Sequence, residues 1–477
     1  MDQSLKSPGL AALDDAFHAM FEASRAEPAP TLEARLDRLT RLRAALSDNE
    51  ARFVQAISAD FGHRSATETT IAEIVVLLGE IRHAAGHVKT WMAPRRIATA
   101  LQFMPATNRL LPQPLGVIGI IAPWNYPLQL TLSPAIGAIA AGNRAMIKPS
   151  ELTPRFADLL REIIAAKFTP LEMTVASVED DVAKAFASLP FDHLVFTGST
   201  RVGRLVAEAA GRNLTPVTLE LGGKSPAIID RSADVDEAAQ RIAYAKLMNA
   251  GQTCIAPDYA LVPENAVQDF ADKVQAHMRR MYGTEPANKD YTSIISDRHY
   301  ARLAALVADA AAKGAKIMQP MPPDAPAWTA IRKFPPTIVV GATDDMTIMQ
   351  EEIFGPLLPI IGYCEPQDPV AYVNRHDRPL ALYWFGTDEA ARDEVLARTV
   401  SGGVTVNDCL FHIAQINQPF GGVGPSGSGA YHGEWGFNAM SKLKPVFYRS
   451  PYNRLADLYP PYGRKIAWME KLLRFLS

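Results

Sequence analysis

Residues 110–143 read LLPQPLGVIGIIAPWNYPLQLTLSPAIGAIAAGN, a run without one charged side chain. Its length raises the question of a membrane-spanning helix. The interior answers it. Pro112, Pro114, Pro123, Pro127 and Pro134 interrupt the run, and Trp124-Asn125-Tyr126 sits between two of those prolines, so no unbroken helix of spanning length survives. The run divides instead into a buried strand over Gly116–Ala122, an irregular turn, and a small-residue helix over Ser133–Ala141. A strand and a helix that are apolar all round belong to the interior of an α/β protein.

The same texture continues outward. Toward the N-terminus, Leu32, Leu36, Leu39, Leu42 and Leu46 recur at the three-and-four spacing of an amphipathic helix. Toward the C-terminus, branched apolar runs alternate with helical segments: Arg144–Lys148, His193–Phe196, Val217–Leu219, Ala227–Ile229, Thr337–Val340, Leu358–Ile361 and Gly403–Val406. That alternation predicts parallel sheets wound by crossover helices. The Pro-rich stretch Gln319–Pro326 reads as a surface loop. Past Tyr459-Pro460-Pro461-Tyr462, the segment Arg464–Phe475 reads as a short basic amphipathic helix that packs on the protein's own surface, with an interfacial role as the alternative.

A chain of 477 residues is too long for one ordinary core and predicts two or three domains. Lys and Arg number 48 against 51 Asp and Glu, a net charge of −3, which implies no polyelectrolyte partner and disfavours nucleic acid. With 48% apolar and 21% charged residues, the composition lies far from that of disordered chains. Cys254, Cys364 and Cys409 are odd in number and far apart, so no disulfide framework is expected and a reducing compartment is. The N-terminal Met1–Pro8 segment lacks the order of a signal peptide, which makes the cytoplasm the expected location.

Six segments carry chemistry. In Gly251-Gln252-Thr253-Cys254-Ile255-Ala256-Pro257, turn-forming residues precede the thiol and a proline follows it, so the sulfur is presented rather than packed; Cys364 and Cys409 lack such a setting and are expected to be packing residues. Glu220 ends a strand-like run before Gly222-Gly223, a half-apolar place that raises a carboxyl toward the range of a general base, although capping a turn remains the other reading. Asn125 brings an amide into the apolar Pro123–Pro127 turn, either as a turn former or as a donor to a developing oxyanion. Finally, Gly198-Ser199-Thr200-Arg201-Val202-Gly203 lies between a strand and a helix, the order that places phosphate at a helix N-terminus, although Thr200 replaces one fingerprint glycine. Lys148-Pro149-Ser150-Glu151 at a strand end is able to bond ribose hydroxyls, and Glu351-Glu352-Ile353-Phe354-Gly355-Pro356 couples carboxylates to an aromatic.

Taken together and in this order along nearly the whole chain, these segments resemble the aldehyde dehydrogenase superfamily. The Gly251–Tyr259 segment, the ending Pro419–Gly427 and Tyr431-His432-Gly433 resemble its shorter class 3 type. The N-terminus and the Pro-Pro-Tyr tail look most like the bacterial coniferyl-aldehyde dehydrogenases, and the long hydrophobic C-terminal anchor of fatty-aldehyde relatives is absent. The resemblance implies an α/β aldehyde dehydrogenase-like fold: N-terminal helices and a Rossmann-like cofactor domain over 1–221 with a β-hairpin oligomerisation arm near 97–112, a catalytic domain over 222–415, and 416–477 returning to the cofactor domain, an oligomerisation strand and the tail.

The resemblance also implies residue roles. Cys254 is the nucleophile, Asn125 the oxyanion donor and Glu220 the base for thioester hydrolysis. Trp124, Lys148, Glu151, Gly198, Ser199, Gly203, Glu352 and Phe354 bind the cofactor, which is NAD by virtue of Glu151, with NADP possible. A homodimer acting on a small aldehyde is implied, with no metal and no transmembrane anchor. An aromatic, cinnamyl-type aldehyde such as coniferyl aldehyde is favoured. The alternatives are a medium- or long-chain aliphatic aldehyde, acyl transfer to coenzyme A, which Glu220 argues against, or a catalytically silent binding protein on the same fold.

Overall fold

A computed structural model describes residues 8–319, 325–364, 368–452, 459–462 and 465–476. The expected Pro-rich loop lies in part, at 320–324, outside the described residues, as do residues 1–7 of the N-terminus. Among the described residues, no helix is long and apolar enough to cross a membrane.

The uncharged run forms the strand Val117–Ile121 and the helix Gln129–Ala141, every residue of which is buried. The helix begins a full turn before the expected Ser133. Pro134 removes an N–H inside it, but the Glu73 carboxylate accepts from the N–H groups of Leu128 (2.7 Å) and Gln129 (3.1 Å), which stabilises a start upstream of the proline. At the other end Gly142 takes a left-handed φ of 90°. A Cβ there would stand 2.6 Å from the guanidinium of Arg35, which donates to the carbonyl of Ala140.

Two larger sheets follow. The first has six strands in the spatial order Gly427–Ser428, Val217–Glu220, His193–Thr197, Val117–Ile121, Arg144–Lys148 and Met173–Val175, all parallel except the first. The chain then enters a seven-stranded sheet, ordered Lys316–Met318, Thr337–Val340, Leu357–Tyr363, Tyr259–Pro263, Pro226–Ile229, Ala381–Phe385 and Gly403–Val406, with only its first strand antiparallel. A third sheet pairs Arg95–Ile97, Thr107–Pro114 and Ser441–Tyr448, all antiparallel. The C-terminal helix Lys465–Leu476 lies against the turn Leu101–Phe103 and exposes Trp468 and Phe475.

One packing expectation is corrected. Cys409 is buried, but Cys364 is exposed, because it stands one residue beyond the end of the strand Leu357–Tyr363, where the chain leaves the sheet.

The helix Val76–Trp91 packs on Gln129–Ala141 and buries Glu80, whose carboxyl accepts from Ser133. Burial pushes this carboxyl up to about 7. Because the folded value exceeds the unfolded one, the native state binds more protons between about pH 4.5 and 7, and stability falls as pH rises through that window, by about 3 kcal/mol once complete. Glu80→Gln is therefore expected to gain melting temperature relative to the parent protein as pH is raised from 5 to 8.5. A pH-independent difference between the two melting curves would contradict this.

Candidate active site

A cleft of about 570 Å³ lies between the two large sheets. On one side stand the carboxyl ends of four adjacent parallel strands, where open α/β sheets bind ligands. Asn125 follows Val117–Ile121, Lys148 ends its strand, Gly198 and Ser199 follow His193–Thr197, and Glu220 ends Val217–Glu220. On the other side, Cys254 precedes Tyr259–Pro263 and Glu352-Ile353-Phe354 precedes the adjacent Leu357–Tyr363, so the second sheet presents its amino ends.

Cys254 is half-buried at this cleft. Its loop is over-determined. Asn249 and Ala250 adopt φ of 52° and 51°, a strained pair upstream of the thiol. The Asn249 amide holds them by donating to the carbonyls of Asn125 (2.9 Å) and Gln252 (3.1 Å). The Gln252 amide donates to the carbonyls of Asn249 and Ser293, and its oxygen accepts from Ile295 N–H. The Asn125 side chain donates to the Gln252 carbonyl at 3.2 Å, which uses one of its two N–H groups and leaves the other. Burial, then the charges of Glu352 and Glu220, pushes the Cys254 thiol well above its ordinary range; the backbone N–H groups of Cys254 and Ile255 oppose that.

The turn that presents Asn125 is held by a buried ion pair. Arg64 and Glu73 are both fully buried, 3.0 Å apart, and Arg64 also donates to the Asn125 carbonyl at 2.9 Å. Its guanidinium lies over the rings of Phe61 and Tyr126. Tyr126 in turn bonds Thr253, the neighbour of Cys254, at 2.8 Å.

Glu220 is buried, and neither carboxyl oxygen has a hydrogen-bond partner among the described residues. Burial alone drives its carboxyl well above the usual carboxylate range. A carboxyl raised by burial is shifted in the direction that a general base requires.

The rest of the cleft fits a dinucleotide. Ser199 caps the helix Thr200–Arg212, its hydroxyl accepting from Val202 N–H, so backbone donors line the cleft at a helix N-terminus. Lys148 and Glu151 pair at 3.1 Å on the cleft wall. Glu352 Oε1 is buried without a hydrogen-bond partner among the described residues, and a Cβ at Gly222 would collide with Glu352 Oε2, so that wall is built for close approach. Burial and the charge of Asp258 push Glu352 up to about 8. Phe354, held at φ 50°, packs edge-on against Trp124 at 5.4 Å. Among the described residues no cluster of metal-ligating side chains occurs.

Ten of the eleven expected site residues line this one cleft. Gly203 does not. It lies in the first turn of Thr200–Arg212, where a Cβ would stand 2.6 Å from Leu221, so it serves close helix packing rather than the pyrophosphate wall. Several residues carried no signal in the sequence. Arg298, His299 and Arg302 line the cleft from the helix Asp297–Ala312, and Arg302 grips Glu351 and the carbonyls of Glu352 and Ile353. Lys224 joins Asp258, whose other oxygen accepts from Ile353 N–H, which fastens the same loop from beneath.

The pattern of the Aldehyde dehydrogenase family matches residues 5–446. The chain is 48% identical to a probable coniferyl aldehyde dehydrogenase of Pseudomonas aeruginosa, covering 95% of this chain and 94% of that one. It is 45% identical to a coniferyl aldehyde dehydrogenase of a Pseudomonas species, with 96% and 95% covered. Among solved structures, AldH of Staphylococcus aureus in a substrate-bound state superposes with a TM-score of 0.91 at 36% identity, covering 97% and 99%. A Mycobacterium tuberculosis aldehyde dehydrogenase complexed with NAD+ gives 0.81 at 27%, covering 92% and 90%.

Removing one member of a buried ion pair strands the other charge, at about 3–5 kcal/mol. Arg64→Met is therefore expected to lower denaturant stability by that amount. The double variant Arg64→Met/Glu73→Gln is expected to recover most of it; equal losses in the single and double variants would show that the pair is not the source.

Proposed function

The chain belongs to the aldehyde dehydrogenase family, and from that membership we propose how its own residues divide the NAD(P)-dependent oxidation of an aldehyde to a carboxylic acid. The observation that supports the division is the convergence of a half-buried thiol, an unpartnered buried carboxyl and a braced amide on one cleft. The Cys254 thiol proton passes to water of the cleft as the sulfur bonds the carbonyl carbon, whose oxygen becomes an alkoxide. The free N–H of Asn125 and the Cys254 backbone N–H hold that oxygen. When bound, NAD(P) accepts the hydrogen and electron pair that leave the carbon, and a thioester on Cys254 remains. Glu220 then takes a proton from water, the water oxygen bonds the thioester carbon, the carbon–sulfur bond breaks and the acid departs.

Trp124, Lys148, Glu151, Gly198, Ser199, Glu352 and Phe354 are the proposed cofactor residues, with Gly203 supporting them through helix packing. Glu151 on the ribose side favours NAD over the 2′-phosphate of NADP. The catalytic domain corresponds to the excursion of the chain through the seven-stranded sheet, 222–415, between the cofactor segments 1–221 and 416–477.

The proposed substrates are aromatic, cinnamyl-type aldehydes such as coniferyl aldehyde, on the strength of the two Pseudomonas relatives. The proposed assembly is a homodimer through the three-stranded sheet, which exposes Ile97, Phe447 and Tyr448, with the exposed Phe103 of the turn Leu101–Phe103 against Phe447. A nucleophilic thiol fits the reducing cytoplasm.

Cys254→Ala is expected to abolish NADH formation, and appreciable turnover would remove the nucleophile assignment. Asn125→Ala is expected to slow the chemical step by about 10²-fold or more, with an unchanged rate pointing to a structural amide. Glu220→Gln is expected to keep a single-turnover burst of NADH while losing steady turnover, since hydrolysis follows oxidation. In a rate comparison, kcat/KM for coniferyl aldehyde is expected to exceed that for benzaldehyde and hexanal; a preference for hexanal would move the substrate class to aliphatic aldehydes.

A further inference from the structure

The thiol loop is also held from outside the cleft, by a carboxylate that the chemistry described so far leaves idle. Glu68 lies on the one-turn helix Ala66–Thr69, whose N-cap is Ser65, just before a π-helical turn over Thr70–Val75. Glu73, within that turn, braces the Asn125 segment. Glu68 reaches instead toward the Cys254 loop. Both of its oxygens accept from the Asn249 N–H, Oε1 at 3.2 Å and Oε2 at 3.1 Å, and Oε2 also accepts from the Thr292 hydroxyl at 2.9 Å.

Asn249 stands where the helix Val235–Leu247 has ended and the left-handed pair Asn249–Ala250 begins. Such a pair persists only when its surroundings over-determine it. The Asn249 amide and carbonyl are already committed to Asn125 and Gln252, so its N–H is left for an anchor outside the loop. The anchor closes on itself. Ser293, the neighbour of Thr292, accepts from Gln252 Nε2 at 3.1 Å, and the same Nε2 donates to the Asn249 carbonyl at 3.0 Å. Glu68, Thr292, Gln252 and Asn249 thereby complete a ring of contacts at the base of the loop that carries Cys254.

This ring calls for an anion. With an N–H and an O–H aimed at the Glu68 oxygens, a proton on either oxygen would face a donor, and the amide of a glutamine would bring two further N–H groups among them. Bonds to an ionised acceptor are also roughly twice as strong as neutral ones. Burial pushes the Glu68 carboxyl up to about 6, with the Asp290 charge adding to it and Arg64, Thr292 and Asn249 opposing it. The phenols of Tyr126, Tyr244, Tyr282 and Tyr291 lie in the same field, and burial raises all four, so they stay neutral where Glu68 titrates.

We propose that Glu68, as an anion, is a positioning residue for the nucleophile: by holding the Asn249 N–H it keeps the Cys254 sulfur and the Asn125 amide in the mutual geometry that attack on the aldehyde requires. Glu68 does not line the cleft and exchanges no proton with substrate. The proposal rests on Cys254 as the nucleophile.

The test compares full-length Glu68→Gln with the parent enzyme. Four quantities are followed: melting temperature, NAD+ affinity by fluorescence quenching, the single-turnover rate of NADH formation from benzaldehyde, and alkylation by iodoacetamide read residue by residue from peptide masses. Glu68→Gln is expected to bind NAD+ as the parent does, to slow the single turnover by about 10-fold or more, and to slow alkylation of Cys254 but not of the exposed Cys364. In the parent, the single-turnover rate is expected to fall as pH drops through about 6, where Glu68 gains its proton, and Glu68→Gln is expected to lack that step. Thr292→Val, which keeps the carboxylate but removes a donor that orients it, is expected to shift both rates the same way by a smaller factor and stands in if Glu68→Gln fails to fold. Parent-like single-turnover and alkylation rates in Glu68→Gln, or NAD+ affinity and turnover falling together, would overturn the proposal. Turnover retained by Cys254→Ala rejects the nucleophile assignment itself, whereas a parent-like Glu68→Gln rejects Glu68 alone.

Discussion

The site depends on the Arg64–Glu73 pair, because that pair fixes both ends of the turn between the strand Val117–Ile121 and the helix Gln129–Ala141. Arg64 holds the Asn125 carbonyl, and Glu73 holds the first N–H groups of the helix. A single buried contact thus sets where the strand ends, where the helix begins, and which way the amide between them points. Through Tyr126 and Thr253 it reaches the thiol loop as well. A buried pair is not in itself a large source of stability, since desolvation offsets most of its attraction. Its use here is geometric: three segments distant in sequence are held in one register.

Two sheets meeting end to end, strand ends facing across the cleft, explain why this register matters. The carboxyl ends of one sheet supply Asn125, Lys148, Ser199 and Glu220, and the amino ends of the other supply Cys254 and Glu352. Neither sheet holds a complete site. A thiol on one rigid wall and a base on the other remain apposed only while the walls keep their distance. The fastenings across the gap are many: Asn249 to Asn125, Asn125 to Gln252, and Glu68 to Asn249. Precision of this kind is what an effectively unimolecular attack on a bound carbonyl requires.

Much of this was legible in the sequence, and the reason is local. Strand ends, glycine turns and a proline after Cys254 are short-range signals that mark candidate positions, and the order of these segments along the chain, through the resemblance it carries, gives them their roles. What was illegible is long-range. Nothing near Arg64 announces that it will face Glu73 and Asn125. Arg302 reads as an ordinary helix-surface arginine until the loop Glu351–Phe354 is laid across it. Gly203 shows the opposite failure, a motif position whose glycine answers to Leu221 rather than to a ligand. Cys364 shows that a lone cysteine at a strand end takes its burial from the point where the chain leaves the sheet, which composition does not disclose.

The electrostatics of the cleft also order the chemistry in time. Cys254, Glu220 and Glu352 all resist ionisation because they are buried, and the two carboxylates further oppose the thiolate. Two adjacent anions in so dry a place are disfavoured together, so charge develops on one group at a time. While the sulfur is free, ionising Glu220 raises the cost of forming the thiolate. Once the sulfur is bound to carbon in a thioester it can no longer ionise, so an ionised Glu220 then opposes no thiolate. Covalent capture of the substrate thereby separates the step that needs the thiolate from the step that needs the Glu220 carboxylate, while burial continues to set the Glu220 carboxyl. A neutral amide at Asn125 suits this scheme better than a lysine or arginine, because a permanent cation would stabilise the thiolate and the carboxylate alike and remove the order between them.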